Sequence, residues 1–267
     1  MLRDITIGQY YPGNSILHKL DPRVKLLWTF VFIISIFIFG NPFSYALATI
    51  FLIVCISISK IPFRYMIRGM KPIMFLLLFT IILDLFLTSG DALVRFWKLT
   101  ITKEGIMLAV HVTVRFLYLI LISSIMMLTT TPIRLTDALE KSLAPLQKIK
   151  IPVHEIAMMM SIALRFIPIL IDEADRIMKA QSARGMDFEH GNLAKRIKNL
   201  LPLLIPLFAA AFRRADDLAM AMDARCYRGG AGRTKMNPLK YKKADAAAYG
   251  MLFVYFAAAW GASFLSF

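Results

Sequence analysis

The sequence has few residues of the kinds that form disulfides or bind metals. Its two cysteines, Cys55 and Cys226, lie far apart and form no C-x-x-C pair. A disulfide scaffold is therefore excluded, and a zinc or redox site built on these thiols is not expected. The four histidines are scattered along the chain, so they predict no metal centre either.

The motifs of common catalytic and nucleotide-binding sites are also missing. No G-x-x-x-x-G-K-[ST] sequence occurs, so the chain itself is not expected to bind ATP through a P-loop. H-E-x-x-H, G-x-S-x-G and G-x-G-x-x-G are absent as well, which argues against several large enzyme classes. We therefore expect a non-catalytic chain that binds no cofactor.

Apolar residues are abundant, and they occur together with a large positive charge. Hydrophobic residues make up 58% of the 267 positions, and the mean hydropathy is +0.63. A soluble domain contains about 45–50% apolar residues, so the composition argues against a purely soluble protein. The net charge is +15, from 32 Lys and Arg against 17 Asp and Glu. A membrane protein with basic residues concentrated in particular segments would explain both facts.

Long uncharged runs predict an all-α integral membrane protein. No charged residue occurs between Lys25 and Lys60, and the turn signal Gly40-Asn41-Pro42 divides this stretch into two helices. Each predicted helix is close to the ~20 residues that cross a bilayer. The five predicted transmembrane spans cover residues 24–40, 42–59, 72–89, 105–129 and 246–267.

The distribution of Lys and Arg predicts the orientation of these spans. The N-terminal segment, the connection between spans two and three, and region 130–245 together carry 28 of the 32 basic residues. Basic residues mark the cytoplasmic side of a membrane protein. We therefore expect a multi-pass protein of the cell membrane with its N-terminus inside and its C-terminus outside.

The chain accordingly divides into three predicted regions. Residues 1–129 contain four transmembrane helices, residues 130–245 form a cytoplasmic region, and residues 246–267 form the last span. Two apolar stretches of the middle region, 156–171 and 199–212, are short for a span and contain prolines. We interpret them as parts of long amphipathic helices lying at the cytoplasmic membrane surface.

Two helix ends in the middle region share the pattern A-D-x4-A-x2-A-R. The pattern runs from Ala174 to Arg184 and returns 41 residues later, from Ala215 to Arg225. On a helix its last two alanines and the arginine share one face, which offers close approach and a planar charge. Helix capping alone would explain one copy. Two copies also fit docking to a partner with two-fold or pseudo-two-fold symmetry.

Three ionisable residues lie inside predicted spans. Asp84 interrupts the third span, and His111 and Arg115 share one face of the fourth. Intramembrane charges are functional candidates by default. One interpretation is an Asp84–Arg115 or Asp84–His111 pair that fastens two helices together. The other is a path for an ion or a proton.

The motifs resemble those of a known family, and the resemblance covers nearly the whole chain. The most specific elements are Ala183-Arg184-Gly185 and, imperfectly, Ala224-Arg225-Cys226. The segment from His18 to Leu26, which contains Asp21-Pro22-Arg23-x-Lys25, also looks like the family, as does Gly8-Gln9-Tyr10-Tyr11-Pro12. The chain resembles the transmembrane T component of energy-coupling factor (ECF) transporters, in particular the shared type of Gram-positive bacteria.

The resemblance implies a coupling function in the bacterial cell membrane. A T component joins two ABC-type ATPases, which hold ATP and Mg, to a small membrane S component that binds a vitamin or metal. Arg184 and Arg225 would dock in one groove on each ATPase. The apolar faces within 156–171 and 199–212 would hold the S component. Cys226 stands where the family pattern has glycine, which weakens the case for a helix cap at the second end.

Three other hypotheses remain open at this point. One is a T component dedicated to biotin, cobalt or nickel. Another is a membrane-embedded, lipid-modifying enzyme with Asp84 or His111 as a catalytic residue. The third is a surface-anchored protein that binds anionic lipid or nucleic acid. Acidic residues recur between positions 172 and 223, so we expect no nucleic-acid partner.

Overall fold

A computed structural model describes residues 10–96, 99–186, 193–230, 236 and 238–264. Helices account for nearly all of the regular structure in these residues, which confirms the predicted all-α class. The helices, in chain order, are α1 (Ile16–Lys19), α2 (Pro22–Ile38), α3 (Pro42–Ser59), α4 (Phe63–Leu87), α5 (Lys103–Thr129), α6 (Pro132–Leu143), α7 (Val153–Ala183), α8 (Leu193–Ala224) and α9 (Lys243–Phe264). A short 3-10 turn, Ala144–Ile149, connects α6 to α7.

The helix starts follow from local sequence. Asp21 caps α2 by accepting a hydrogen bond from the Arg23 N–H, and Pro22 occupies the first helical position. Asn41 and Pro42 open α3 in the same order. α4 begins at Phe63 instead of near residue 72, so the helix includes basic residues that were predicted to lie in a connection.

Two short strands form the connection between α4 and α5. β1 (Ala92–Phe96) pairs antiparallel with β2 (Leu99–Thr102). No strand is predicted between the spans at 72–89 and 105–129, so the ribbon is an addition to the predicted architecture. Thr102, the last strand residue, caps α5 by accepting from the Gly105 N–H at 3.1 Å.

Within the described residues, three helices are long and apolar enough to cross a membrane. Two of them, Pro42–Ser59 and Lys103–Thr129, coincide with predicted spans. The third is α7, Val153–Ala183, which the sequence analysis assigned to the membrane surface because it contains Arg165 and Pro168. Its location at the surface stays a prediction, as do the region boundaries after residues 129 and 245.

The chain separates into two compact units by its internal contacts. One comprises Gly8–Ala138 and Leu239–Phe267, and includes α1 to α5 and α9. The other is built from Leu139–Pro238, and includes α7 and α8. The second unit is therefore an insertion, since the chain leaves the first unit within α6 and returns just before α9.

An aromatic cluster forms the centre of the first unit. The Phe51 ring lies 4.6 Å from Tyr255, 5.4 Å from Trp28 and 5.5 Å from Phe32 between ring centroids. Trp28 is buried, and its indole N–H donates to the Ala248 carbonyl at 3.1 Å. Burial of large rings with a satisfied indole is a strong packing contribution. The cluster joins α2, α3 and α9 into one core.

Close approach of α4 and α5 depends on a glycine. A Cβ on Gly105 would lie only 2.9 Å from the Asp84 carbonyl oxygen and 2.9 Å from the Thr102 hydroxyl. Real Cβ atoms do not approach backbone oxygens this closely, so a larger residue would push the helices apart. Gly105 therefore sets α4 against the first turn of α5.

The Asp245 side chain links two segments of the first unit that lie far apart in the sequence. Its side chain is buried, and both carboxylate oxygens accept hydrogen bonds. Oδ2 accepts from the Lys242 N–H at 2.6 Å, which closes the first turn of α9 as in a capping box. Oδ1 accepts from the Asp21 N–H at 2.8 Å. One carboxylate thus ties the start of α9 to the start of α2, 224 residues earlier.

Lys25 joins the end of α5 to the same region. Its ammonium is buried and donates to the Thr129 carbonyl at 2.9 Å and to the Thr130 hydroxyl at 3.2 Å. α5 ends at Thr129, where the helix dipole concentrates partial negative charge. Burial of an ammonium group costs free energy unless the group is hydrogen-bonded, and these two acceptors offset that cost.

Arg23 holds the segment that leads into α9. Its guanidinium donates to the Leu239 carbonyl at 3.1 Å and lies 4.9 Å from the centre of the Tyr241 ring. Its Nε is 3.6 Å from the Asp21 carboxylate. The Asp21-Pro22-Arg23-x-Lys25 sequence is therefore a structural junction, in which one turn of helix fixes three chain segments.

His18 fixes the segment before α1 through hydrogen bonds of both ring nitrogens. Burial lowers the pKa of His18 below its ordinary value. Nε2 donates to the Tyr11 carbonyl at 3.0 Å, so Nδ1 accepts from the Ser15 hydroxyl at 2.6 Å. The Tyr11 N–H in turn donates to the Leu128 carbonyl near the end of α5. The N-terminal segment is thus tied to the same junction.

We expect Asp245→Ala to lower the free energy of unfolding by about 3 kcal/mol, because two backbone N–H groups lose a charged acceptor. Asp245→Asn keeps one carbonyl oxygen and should lose about half as much. Thermal unfolding of the detergent-purified protein measures both changes. The matched control is Asp217→Ala, since Asp217 is exposed on α8. Equal stability of Asp245→Ala and this control would contradict the proposed junction.

Candidate functional site

The first motif lies at the hydrogen-bonded end of α7, whose last helical residue is Ala183. The Gly185 N–H donates to the Ser182 carbonyl, and the Met186 N–H donates to the Gln181 carbonyl, both at 3.0 Å. This pair of bonds defines the Schellman motif. Gly185 has φ +88°, a left-handed conformation that glycine adopts without steric cost.

The second motif ends α8 with the same hydrogen bonds. The Cys226 N–H donates to the Asp223 carbonyl at 2.9 Å, and the Tyr227 N–H donates to the Met222 carbonyl at 3.0 Å. Cys226 takes a left-handed φ of 55°. Cys226 replaces the glycine of the family pattern, which weakened the prediction of a cap, but the cap is still formed. Cys226 adds the cost of a side chain in this conformation, about 1–2 kcal/mol.

All six residues of the two motifs are exposed. On α7 these are Ala183, Arg184 and Gly185, and on α8 and its cap they are Ala224, Arg225 and Cys226. Small exposed side chains beside a guanidinium let a partner backbone come close to a multi-donor cation. The two ends therefore present the same chemistry on the same local backbone.

An ion pair joins α7 to α8 between the two motifs. The Arg214 guanidinium lies 3.4 Å from the Glu173 carboxylate. These residues are 41 positions apart, which is also the spacing of the repeated motif. The pair is partly exposed, so it contributes less than about 1 kcal/mol to stability. The ion pair mainly shows where α7 and α8 meet.

The two motifs are placed symmetrically about this contact. Arg184 follows Glu173 by eleven residues, and Arg225 follows Arg214 by eleven residues. Eleven residues of helix span about 16 Å. Ile162 of α7 lines one groove with Met222 of α8, so the helices run in opposite senses. The two arginines therefore lie at equal helical distances from the contact, in opposite directions.

The segment after α8 is held against the start of α7. A Cβ on Gly230 would overlap the His154 ring, so a larger residue at this position would force the ring to move. His154 Nδ1 is 2.9 Å from a carboxylate oxygen of Glu140 on α6. These contacts fix the chain that follows Cys226 and thus the surroundings of the second motif.

Arg115 lies among aromatic residues within the first unit. Its guanidinium donates to the Tyr45 hydroxyl at 3.4 Å and is 5.1 Å from the centre of the Phe37 ring. The Tyr45 ring stacks on the His111 imidazole at 5.6 Å between centroids. The cation thus interacts with the face of an aromatic ring, as guanidinium groups commonly do.

The structure does not form the Asp84 pair that one of the two interpretations required. Among the described residues, no ion pair joins Asp84 to Arg115 or to His111. Asp84 lies at the level of Gly105, as the close contact between them shows. His111 and Arg115 lie six and ten residues further along α5, about 9 Å and 15 Å away along the helix. α4 and α5 are neighbours as predicted, but these charges occupy different depths.

The described residues contain no group of three His, Cys, Asp or Glu side chains that could hold a metal ion. Both described cysteines are free thiols, Cys55 buried and Cys226 exposed. Sequence reasoning did not identify the Glu173–Arg214 contact. Opposite charges separated by the repeat spacing were a usable signal for it. No sequence signal distinguishes Tyr45 and Phe37 as partners of Arg115.

Comparison with known proteins identifies a matching family. Residues 13–236 match the CbiQ family, described as cobalt transport protein. The energy-coupling factor transporter transmembrane protein EcfT of Ruminiclostridium cellulolyticum is 51% identical over 96% of both chains. EcfT of Clostridium kluyveri is 52% identical over 92% of both chains. EcfT of Bacillus subtilis is 45% identical over 95% of this chain and 96% of its own length.

We expect Cys226→Gly to stabilise the end of α8 by about 1 kcal/mol, because glycine adopts the left-handed conformation without steric cost. Cys226→Ala separates the backbone effect from the thiol, and should be nearly neutral because alanine keeps the same strain. Hydrogen exchange of the Cys226 and Tyr227 amides measures both variants. If glycine and alanine destabilise this end equally, the thiol stabilises the cap and the interpretation fails.

Proposed function

Because the chain belongs to the EcfT family, the transmembrane proteins of energy-coupling factor transporters, we propose that it transmits ATP-driven movement between other subunits. Two ABC-type ATPases supply the movement, and a small membrane S component that binds a vitamin or another micronutrient receives it. This chain is the connection between them. The names of the relatives do not favour a lipid-modifying enzyme.

The observation that carries this proposal is the matched construction of the two helix ends. Each end has an exposed Ala-Arg pair followed by a left-handed residue, with the same two capping hydrogen bonds. The ends lie eleven residues from Glu173 and Arg214 in opposite directions. Two similar ATPases related by a pseudo-two-fold axis would each meet one such end.

An exposed apolar surface on α7 and α8 supports a second contact. Ile156 and Met159 on α7 are exposed, and so are Ile205 and Phe208 on α8. Large exposed apolar surfaces mark protein or membrane contacts. We assign this surface to the S component, which would then follow any movement of the two helices.

The chain itself has no catalytic role in this proposal. ATP and Mg are bound by the partner ATPases, since this sequence contains no P-loop. The imported compound is bound by the S component. The proposal therefore accounts for the whole activity without any reactive group on this chain.

We place the N-terminus and the α7–α8 unit on the cytoplasmic side, and the C-terminus outside. The support is the charge distribution, with 28 of the 32 Lys and Arg residues on that side. Cytoplasmic exposure of α7 and α8 is also what contact with soluble ATPases requires.

Arg184→Glu combined with Arg225→Glu tests the docking ends. We expect co-purification of the ATPases to fall at least about 10-fold, because each change replaces a guanidinium contact with a repulsive charge. Uptake of the imported compound should be lost in parallel. Quantitative mass spectrometry of the affinity-purified complex and a radiolabel uptake assay measure the two effects.

The matched control reverses one exposed arginine on each helix at a distance from the Ala-Arg ends, Arg176→Glu with Arg213→Glu. This control changes the net charge equally and should retain ATPases and uptake. Normal assembly and uptake in the Arg184→Glu, Arg225→Glu variant would refute the assignment of these residues. Equal losses in both variants would attribute the effect to net charge.

The native cysteines provide a test of orientation. Cys226 is exposed and Cys55 is buried, so a membrane-impermeant maleimide should report on Cys226 alone. We expect labelling in inside-out vesicles and none in intact spheroplasts that express this chain without partners. Cys226→Ser should abolish the signal. Labelling of intact spheroplasts would reverse the proposed orientation.

A further inference from the structure

A groove of about 620 Å³ lies between the first half of α7 and the last turns of α8. Small-molecule sites commonly enclose about 300–1,000 Å³, so the groove has the size of a ligand site. Its walls come entirely from the second unit, from α7, α8 and the segment after α8. The Gly230–His154 contact holds that last segment in place.

The lining of the groove contains a set of apolar side chains, here named the apolar wall, and a set of arginines, here named the basic wall. The apolar wall includes Met158 and Ile162 of α7 and Met222 of α8. Thioether and aliphatic side chains of this kind accommodate flexible hydrocarbon chains.

Three arginines supply the basic wall, although they come from three parts of the sequence. Arg165 lies in the middle of α7, Arg225 follows the end of α8, and Arg228 lies in the next segment. No carboxylate occurs among the described residues that line the groove. No ion pair engages these guanidinium groups in the part of the chain that the structure describes.

We propose that this groove binds an anionic phospholipid of the cytoplasmic leaflet. Guanidinium groups bind phosphate through paired N–H donors, so Arg165 and Arg228 hold the headgroup. An acyl chain lies along Met158 and Ile162. The inference rests on the proposed function, because it requires α7 and α8 to lie at the cytoplasmic surface of the membrane.

The composition of the walls selects a lipid over other anions. A free phosphate would use the arginines and leave the apolar wall empty. An acidic peptide would also satisfy the charge, but a membrane supplies anionic lipid at high local concentration beside any surface helix. Only an amphiphilic anion matches both walls at once.

The test uses the full chain, purified without partners and incorporated into lipid nanodiscs of phosphatidylcholine with or without phosphatidylglycerol. Native mass spectrometry counts the lipids that remain bound. For the unmodified chain we expect at least a tenfold preference for phosphatidylglycerol. In Arg165→Gln with Arg228→Gln this preference should disappear. The matched control, Arg176→Gln with Arg213→Gln, changes two exposed arginines outside the groove and should keep it.

Equal retention of the two lipids by the unmodified chain would overturn the proposal without any variant, so a folding defect does not obscure the result. Loss of preference in both variants would assign binding to general charge and overturn it as well. Displacement of the lipid by millimolar inorganic phosphate or by an acidic peptide would reassign the groove to those ligands.

Arg225 and Cys226 of the second motif also line the groove, so the variant changes only Arg165 and Arg228 and leaves both motif arginines in place. The Arg165→Gln, Arg228→Gln chain should co-purify with the ATPases as well as the unmodified chain does. Loss of the ATPases with unchanged lipid binding would make the groove a protein contact and overturn the lipid assignment. Loss of lipid preference with the ATPases retained is the result we expect.

Discussion

The two hydrogen bonds that Asp245 accepts are the constraint on which the first unit depends. One closes the first turn of α9, and the other reaches the N-cap of α2 from the far end of the chain. Lys25 and Arg23, within the next turn of α2, bind the end of α5 and the segment that leads into α9. The polar groups are buried but satisfied, so they fix helix positions that apolar packing alone would leave free to slide.

This junction also defines the role of the inserted unit. The chain leaves the first unit within α6 and returns at Leu239, whose carbonyl Arg23 holds. The inserted unit can therefore be long and exposed while both of its connections belong to a packed structure. Within it, stability comes from α7–α8 packing and capped helix ends, and many large apolar side chains remain exposed.

Local patterns predicted much of the architecture. Uncharged runs identified α2, α3, α5 and α9, and the repeated alanines and arginines identified the ends of α7 and α8. What the sequence did not predict is which residues of different segments come into contact. Asp84 does not meet Arg115 or His111, because residues on neighbouring helices meet only at equal depth, which Gly105 sets and sequence spacing does not reveal. The left-handed Cys226 was equally unforeseeable, because the α8 cap imposes this conformation against the preference of the residue. Glu173 and Arg214 have opposite charges one repeat apart, but only the pairing of α7 with α8 shows that they meet.

The position of that contact has a mechanical consequence. Two lever arms of equal length extend from Glu173 and Arg214 to the arginines at the helix ends. Equal and opposite displacements at the two tips form a couple, which produces rotation about the contact with no net translation. Displacement of one tip alone would drag the whole pair sideways. Opposite displacements of the two arginine-bearing ends would therefore turn α7 and α8 about the Glu173–Arg214 contact.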